Sequence, residues 1–231
     1  MEIEELIKNY QPDENLVNLV KKTKIVLLCG ISGAGKSSIQ SRLLEKDSKF
    51  TRIITSTTRS PRDNDGVMER DEVDYYFFSQ QQATEKLAKG EYFEVAQVHG
   101  KVYGVTADEI KRIHDADKTA LASIDYQGVE YFHKYHSGVQ AIFIVPPSYQ
   151  AWYDRIRNRY HDQQEFESVL SVRKASALIE LDWALSTDYC RFLINDDLDV
   201  AVEQAHAMIN GQLIDDQLAR QAAEQILSSI K

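Results

Sequence analysis

Residues 30–38 read GISGAGKSS and directly follow the apolar run IVLLC at 25–29. The apolar run has the length and composition of a strand buried on both faces. The next residues, SSIQSRLLEK at 37–46, place their apolar side chains on one face of a helix. A glycine-rich loop between a buried strand and a helix is typical of the phosphate-binding P-loop, G-x-x-x-x-G-K-[ST]. The stretch therefore predicts an α/β fold built on a parallel sheet.

The residue types in this loop match the chemistry of a bound nucleoside triphosphate. Its glycines let consecutive backbone N–H groups surround phosphate oxygens, and the following helix adds the positive end of its dipole. Lys36 offers a positive charge to the β and γ phosphates, and the Ser37 hydroxyl is suited to bind Mg²⁺. The predicted contacts are Gly30, Ser32, Gly33, Ala34, Gly35, Lys36, Ser37 and Ser38, with Ser37 as the metal ligand.

Length, charge and hydropathy restrict the class of protein. A chain of 231 residues suffices for one well-buried α/β domain with attached arms. The net charge of -9 disfavours binding to polymeric nucleic acid. No apolar run approaches the ~20 residues that cross a bilayer, and the acidic start MEIEELIKNY does not resemble a secretory signal. We therefore expect a cytoplasmic protein that does not span a membrane.

Hydrophobic periodicity predicts alternating strands and helices along most of the chain. Between them, a polar and aromatic region up to about residue 105 predicts a small strand-rich lobe. Strands are expected at 24–29, 52–54, 119–125, 140–145 and 190–196; helices are expected at 2–22 with a break at Pro12, at 37–46, at 83–90, on either side of a polar segment at 160–168, and at 198–230 with a break at Gly211.

Eight motifs occur in the order, and near the spacing, found in one enzyme family. They are the P-loop, STTRSPR, VDYYFF, YFEVAQVHGKVYG, IDYQG, VPPS, RIRNR and INDDLDVA. From about Lys24 to Met208 the chain thus resembles the guanylate kinases. The resemblance implies a P-loop parallel-sheet core with helices on both faces (24–54 and 106–210), a monophosphate-binding lobe (55–105) and a helical lid (150–180). The segments 1–23 and 211–231 remain outside this domain as helical arms.

The resemblance also implies an acceptor site for GMP. Its phosphate would be bound by Arg59, Arg62, Tyr75 and Tyr103, because arginine presents a planar fork that suits phosphate oxygens. Glu94 would accept hydrogen bonds from the N1–H and the exocyclic amine of guanine, a pair of donors that adenine lacks. The remaining acceptor residues that the resemblance implies are Thr55 and Asp125.

Three arginines in the second half of the chain correspond to the lid of similar guanylate kinases. Arg155 and Arg159 are expected at i and i+4 on one helix face, and Arg173 follows the polar segment. With Lys36 they would offset the charge of the phosphoryl group during transfer. Arg157 is expected to face solvent. Asn195 matches a position near the adenine of ATP, although Asn195, Asp196 and Asp197 could equally cap the next helix.

The implied reaction is the ATP-dependent, Mg²⁺-assisted phosphorylation of GMP to GDP. Val105 replaces the family's serine or threonine, Ser123 replaces a carboxylate, and the loop at 63–74 is longer than usual. These departures leave two alternatives, a kinase of the same fold with another acceptor and a binding module without turnover. The helical arms either pack on the core or form a homodimer.

Overall fold

A computed structural model describes residues 3–64, 66–98 and 100–231 of the chain. The strands are β1 (Ile25–Cys29), β2 (Phe50–Arg52), β3 (Ser56–Thr57), β4 (Asp63–Asn64), β5 (Val67–Met68), β6 (Tyr76–Phe77), β7 (Tyr92–Val98), β8 (Lys101–Thr106), β9 (Thr119–Ser123), β10 (Gln140–Val145) and β11 (Cys190–Ile194). The helices are α1 (Ile3–Lys8), α2 (Glu14–Lys22), α3 (Lys36–Lys46), α4 (Gln80–Ala88), α5 (Ala107–Asp115), α6 (Tyr126–Tyr135), α7 (Tyr149–Arg157), α8 (Gln163–Ser186), α9 (Leu198–Ile209) and α10 (Gln217–Ile230).

The chain divides into two compact units. One consists of residues 1–25 and 51–120, and the other of residues 26–50 and 121–231. In the part of the chain that the structure describes, no helix combines the length and the apolar character needed to cross a membrane.

A five-stranded sheet in the order β11-β10-β1-β9-β2 forms the α/β core. Strand β10 pairs in parallel with β1 and with β11, and all five residues of β1 are buried. Burial on both faces explains why these strands are continuous apolar runs without alternation. The fold class predicted from the P-loop stretch, a parallel sheet with flanking helices, is confirmed.

A four-stranded sheet in the order β6-β3-β8-β7 lies in the other unit. Strand β3 runs parallel to β6 and antiparallel to β8, which forms an antiparallel pair with β7. The long loop after Arg62 contains the short antiparallel pair of β4 and β5. Helix α4 begins with a capping box between Ser79 and Gln82 and ends before Gly90, whose φ of 72° suits glycine.

Both terminal segments pack within their own units. Helix α2 buries Leu16 and Val20 and contacts α5. Tyr10 lies in the segment between α1 and α2. The Tyr10 hydroxyl accepts a hydrogen bond of 2.8 Å from the backbone N–H of Tyr92. Helix α10 contacts α8 and β11 and buries four apolar residues, Ala219, Ala222, Ala223 and Ile226.

Several element boundaries differ from the sequence-based prediction. The strand expected at 52–54 is β2 at Phe50–Arg52, because the Ile54 N–H bonds to the Glu109 carboxylate instead of a strand. Strand β9 ends at Ser123 rather than at residue 125, since Asp125 caps α6. Most of the polar segment at 160–168 is helical, because the Asp162 side chain accepts from Glu165 N–H and starts α8 there.

Candidate active site

The P-loop joins β1 to α3 through glycines that larger residues could not replace. Gly30 and Gly35 have φ values of 133° and 97°, in the left-handed region that favours glycine. A Cβ atom at Gly30 would collide with the Ile144 carbonyl, and one at Gly35 would collide with the Asn195 amide. Ser37 and Ser38 lie exposed in the first turn of α3. The loop therefore has the narrow backbone and the free hydroxyls that a phosphate chain with a magnesium ion requires.

Lys36 is folded over the start of its own loop. Its ammonium donates hydrogen bonds to the carbonyl of Gly30 and, at 3.4 Å, to that of Ile31. Burial lowers the pKa of Lys36, and the nearby Glu180 carboxylate partly opposes that effect. A phosphate oxygen would replace these carbonyls as the partner of the ammonium and would favour its charged form.

Glu180 on α8 is a charged neighbour of the P-loop that the sequence analysis did not identify. Its pKa is raised to about 7, mainly because burial disfavours the carboxylate and also because Asp125 is close. The charges of Lys36 and Arg173 act in the opposite direction. Arg173 lies seven residues before Glu180, two turns away on the same face of the helix. This spacing was the available signal in the sequence.

Asn195 follows β11 and is buried, with 6% of its surface exposed. Its side-chain amide donates a hydrogen bond of 2.7 Å to the Ala34 carbonyl of the P-loop. Its backbone N–H donates to Val145 at 2.8 Å, at the end of β10. Asn195 does not cap α9, because that position belongs to Asp197, whose side chain accepts from Val200 N–H. Asn195 thus ties the P-loop to the end of the neighbouring strands.

Arg155 and Arg159 line a cavity of about 380 Å³ beside the P-loop. They do not share a helix face as expected, because α7 ends at Arg157 and Arg159 lies in the turn that follows. Arg155 donates a hydrogen bond of 2.8 Å to the Asn195 carbonyl, while its Nη1 is buried without a partner among the described residues. The cavity is lined by Gly33, Gly35, Ser38, Arg155, Asn158, Arg159, Asn195, Asp196 and Leu198.

Arg157 and Asp125 belong to the same unit as the P-loop. Arg157 does not face solvent, since its guanidinium lies 5.2 Å from the centre of the Phe166 ring and donates to the Tyr160 carbonyl. Asp125 is exposed, and its carboxylate accepts from Gly128 N–H at 2.9 Å as the cap of α6. Its charge still reaches Lys36 and Glu180.

In the other unit, Arg59 lies among the aromatic residues that the resemblance placed beside the acceptor phosphate. The guanidinium lies 4.8 Å from the centre of the Tyr75 ring, and the Tyr75 and Tyr103 rings are 6.3 Å apart. Hydrogen bonding to Glu69 is the largest cause of a raised Arg59 pKa, and the two tyrosine hydroxyls add to it. Three of the four expected phosphate-binding side chains therefore converge.

Glu69 is the second charged residue that the sequence analysis missed. Its two carboxylate oxygens accept from the two terminal nitrogens of Arg59, a bidentate pair in which both side chains are largely buried. The same carboxylate accepts from the backbone N–H of Arg62 at 2.9 Å. The long loop thus turns back on the arginine motif, whereas the Arg62 residue itself is exposed.

The expected guanine contacts lie on β7 and on the segment before β3. Glu94 is half-buried and faces Val105 across the β7–β8 pair. Thr106, the hydroxyl residue next to Val105, is buried, and its side chain accepts from Glu109 N–H as the cap of α5. Thr55 is half-buried, and its carbonyl accepts from Tyr76 N–H at 3.0 Å.

Comparison with known proteins identifies the family. A protein-family model described as guanylate kinase matches residues 22–212. The chain belongs to the guanylate kinase family. The guanylate kinase of Rickettsia bellii is 32% identical over 188 residues, which are 81% of this chain and 94% of that protein. The guanylate kinase of Thiobacillus denitrificans is 34% identical over 177 residues, 77% of this chain and 80% of that protein.

The crystal structure of guanylate kinase from Anaplasma phagocytophilum shares the fold. It superposes with a TM-score of 0.57 at 23% identity and covers 91% of this chain and 97% of that one. The family membership predicted from the eight motifs is confirmed by these comparisons. Glu69, Glu109 and Glu180 lie outside the eight motifs, so the resemblance did not identify them.

Proposed function

We propose that this chain transfers the γ-phosphoryl group of ATP to GMP and forms ADP and GDP. The observation that carries the proposal is that the chain contains both an intact P-loop and, in the other unit, a cluster of Arg59 with the Tyr75 and Tyr103 side chains. Membership of the guanylate kinase family supports the identity of both substrates. The phosphate of GMP is already an anion, so it can attack without a general base.

ATP binds with its phosphates in the P-loop, from Gly30 to Ser38. Mg²⁺ would be held by the Ser37 hydroxyl together with phosphate oxygens and would offset their negative charge. The geometry supports this assignment, since side chains would collide at Gly30 and Gly35 and Ser37 is exposed. Because Ser123 supplies no carboxylate, the metal depends on Ser37 and the phosphates.

Charge on the transferred group is offset by Lys36 and by the arginines of the lid. Arg155 and Arg159 line the cavity beside the P-loop. Arg173 acts from α8. In such a transfer, positioning and electrostatic stabilisation supply nearly all of the catalysis.

GMP binds in the lobe at 55–105. Arg59, Arg62, Tyr75 and Tyr103 bind its phosphate, so the acceptor must share Arg59 with the Glu69 carboxylate or displace it. The guanine edge binds to Glu94 and Thr55, and Asp125 also contributes to acceptor binding. The core at 24–54 and 106–210 holds ATP, and the lid at 150–180 moves during the reaction. We propose that the enzyme acts in the cytoplasm.

A homodimer through the terminal helices would have to use their outward faces. The inward face of α10 is buried within its own unit, whereas Leu213 and Leu218 are 97% and 73% exposed. Light scattering at several protein concentrations measures the oligomeric state directly.

An acceptor panel tests the proposed reaction. ADP formation is measured with ATP, Mg²⁺ and one acceptor at a time, from GMP, dGMP, AMP, UMP, CMP and ribose phosphates. We expect GMP to give the highest kcat/KM and removal of Mg²⁺ to abolish turnover. Preference for another acceptor would contradict the proposal, and no stimulation by any acceptor would indicate a binding module.

A further inference from the structure

Glu109 on α5 is a fully buried carboxylate, with 0% of its surface exposed. Its Oε1 accepts from the Ile54 N–H at 2.8 Å and from the Arg112 Nη2 at 2.7 Å. Its Oε2 accepts from the Tyr76 hydroxyl at 2.9 Å and from the Arg112 Nε at 2.8 Å. The four acceptor positions of the carboxylate are all in use, and Arg112 balances its charge.

These hydrogen bonds close a ring around Thr55. Glu109 holds the backbone N–H of Ile54 on one side of that residue. On the other side, the Tyr76 N–H donates to the Thr55 carbonyl at 3.0 Å, and the Tyr76 hydroxyl returns to Glu109. Arg112 also donates to the Arg52 carbonyl at 3.2 Å. One cluster around the buried Glu109 carboxylate therefore fixes the chain on both sides of Thr55.

The held segment has no regular structure of its own. Strand β2 ends at Arg52 and β3 begins at Ser56, so residues 53–55 lie between two strands and belong to neither. Ile54 is half-buried, and the partner of its backbone N–H is a side chain from another element. The conformation of the segment thus depends on Glu109 more than on local sequence.

We infer that Glu109 is a positioning residue that sets the selectivity for guanine by fixing the backbone around Thr55. The inference rests on the proposed function, in which Thr55 contacts the base. Hydrogen-bonding groups discriminate between bases only when they are held in place, and a displacement of about 1 Å can cost a factor of about a hundred in rate. Glu109 contacts no part of the substrate; it acts through the Ile54 peptide and through Tyr76.

The chemistry of the cluster favours a permanent clamp. Burial, together with hydrogen bonding to Glu109, raises the pKa of Tyr76 to about 12, so its hydroxyl remains a donor across the neutral range. The pKa of Arg112 is raised chiefly by the same carboxylate. Neither partner of Glu109 changes charge under ordinary conditions, and the ring around Thr55 stays closed.

The variant Glu109→Gln tests the inference, because an amide keeps the size of the side chain but has only one oxygen to accept hydrogen bonds. We expect the KM for GMP to rise about tenfold and the preference for GMP over AMP to fall. The KM for ATP should stay at the wild-type value. The matched control is Asp108→Asn on the same helix, an exposed residue whose carboxylate pairs with Lys86.

Tyr76→Phe is a second, milder variant that removes one hydrogen bond of the ring. It should shift the same two parameters in the same direction by a smaller factor, and it keeps the test available if Glu109→Gln does not fold. Equal increases in the KM values for both substrates, or an unchanged KM for GMP in a folded Glu109→Gln protein, would overturn the inference.

Amide hydrogen exchange separates this inference from the proposed function. In Tyr76→Phe, and in Glu109→Gln where it folds, we expect the backbone amides of residues 54 and 76 to exchange faster than in Asp108→Asn. If the wild-type protein did not phosphorylate GMP, the proposed function would fail, while faster exchange would still support the clamp. Unchanged exchange at both amides would refute the clamp whatever the acceptor.

Discussion

The side-chain amide of Asn195 donates a hydrogen bond of 2.7 Å to the Ala34 carbonyl, across 161 positions of sequence. The carbonyl of the same asparagine accepts from Arg155. One buried residue therefore links the P-loop, the end of β11 and an arginine of the neighbouring cavity. It fits against Gly35, where a Cβ atom would collide with its amide.

Asn195→Ala should weaken the binding of ATP more than the binding of GMP, because it removes the side chain that holds the P-loop. A lost buried hydrogen bond costs about 1–3 kcal/mol, so we expect the KM for ATP to rise about tenfold. Steady-state kinetics with each substrate varied in turn measures the effect. Asn210→Ala, an exposed asparagine just after α9, is the control. An unchanged KM for ATP would show that the P-loop keeps its shape without Asn195.

Glu69→Gln should destabilise the monophosphate-binding lobe, because it leaves the Arg59 guanidinium largely buried without its carboxylate. We expect a loss of about 1–3 kcal/mol in the free energy of unfolding, measured in urea. Glu72→Gln in the same loop, where the side chain is exposed, should have little effect. Equal stability of the two variants would mean that the Arg59–Glu69 pair contributes nothing.

Glu94→Gln should raise the KM for GMP far more than the KM for ATP, because the amide can accept only one of the two hydrogen bonds that guanine offers. The variant keeps the shape of the side chain on β7. Glu85→Gln, on the exposed face of α4, serves as the control. A comparable rise in the KM values for GMP and ATP would count against contact between Glu94 and the base.

Glu180→Gln should change how stability depends on pH. The folded-state pKa of Glu180 is raised to about 7 from a reference of 4.5, so the folded protein binds more protons than the unfolded chain between these values. The contribution of this residue to the free energy of unfolding is therefore greatest at low pH and falls as the pH rises from about 4.5 to about 7. Urea unfolding at pH 5 and pH 8 should show that the free energy of unfolding decreases less in the glutamine variant than in the wild-type protein. Parallel profiles for the two proteins would contradict the raised pKa.

Asp216→Ala should destabilise the core, because Asp216 connects the C-terminal segment to the edge strand. Its carboxylate accepts from the Phe192 N–H at 3.0 Å on β11 and lies 3.4 Å from Arg220. We expect the free energy of unfolding, measured in urea, to fall by about 1–3 kcal/mol. Asp182→Ala, exposed on α8, is the control. If Asp216→Ala were no less stable than this control, the hydrogen bond from Phe192 to Asp216 would not contribute to stability.

Local sequence was sufficient wherever one short stretch specified both structure and chemistry. The run at 25–29 must be a buried strand because all its side chains are apolar, and the glycines and Lys36 that follow leave few alternatives to a P-loop. The order of the eight motifs then identified the family. Boundaries were wrong where a side chain captured a backbone group, as Asp162 did at the start of α8 and Glu109 did at Ile54.

The sequence by itself thus determined the fold class, the family and the P-loop of this protein. Only the tertiary structure decided how the charged residues outside the motifs are used. TADE at 106–109 reads as an ordinary helix start, yet the fold buries Glu109 and directs it to Ile54, Tyr76 and Arg112. The physical reason is that a buried carboxylate must find its donors wherever the chain brings them. Two of its donors, Ile54 and Tyr76, lie 55 and 33 positions away in sequence.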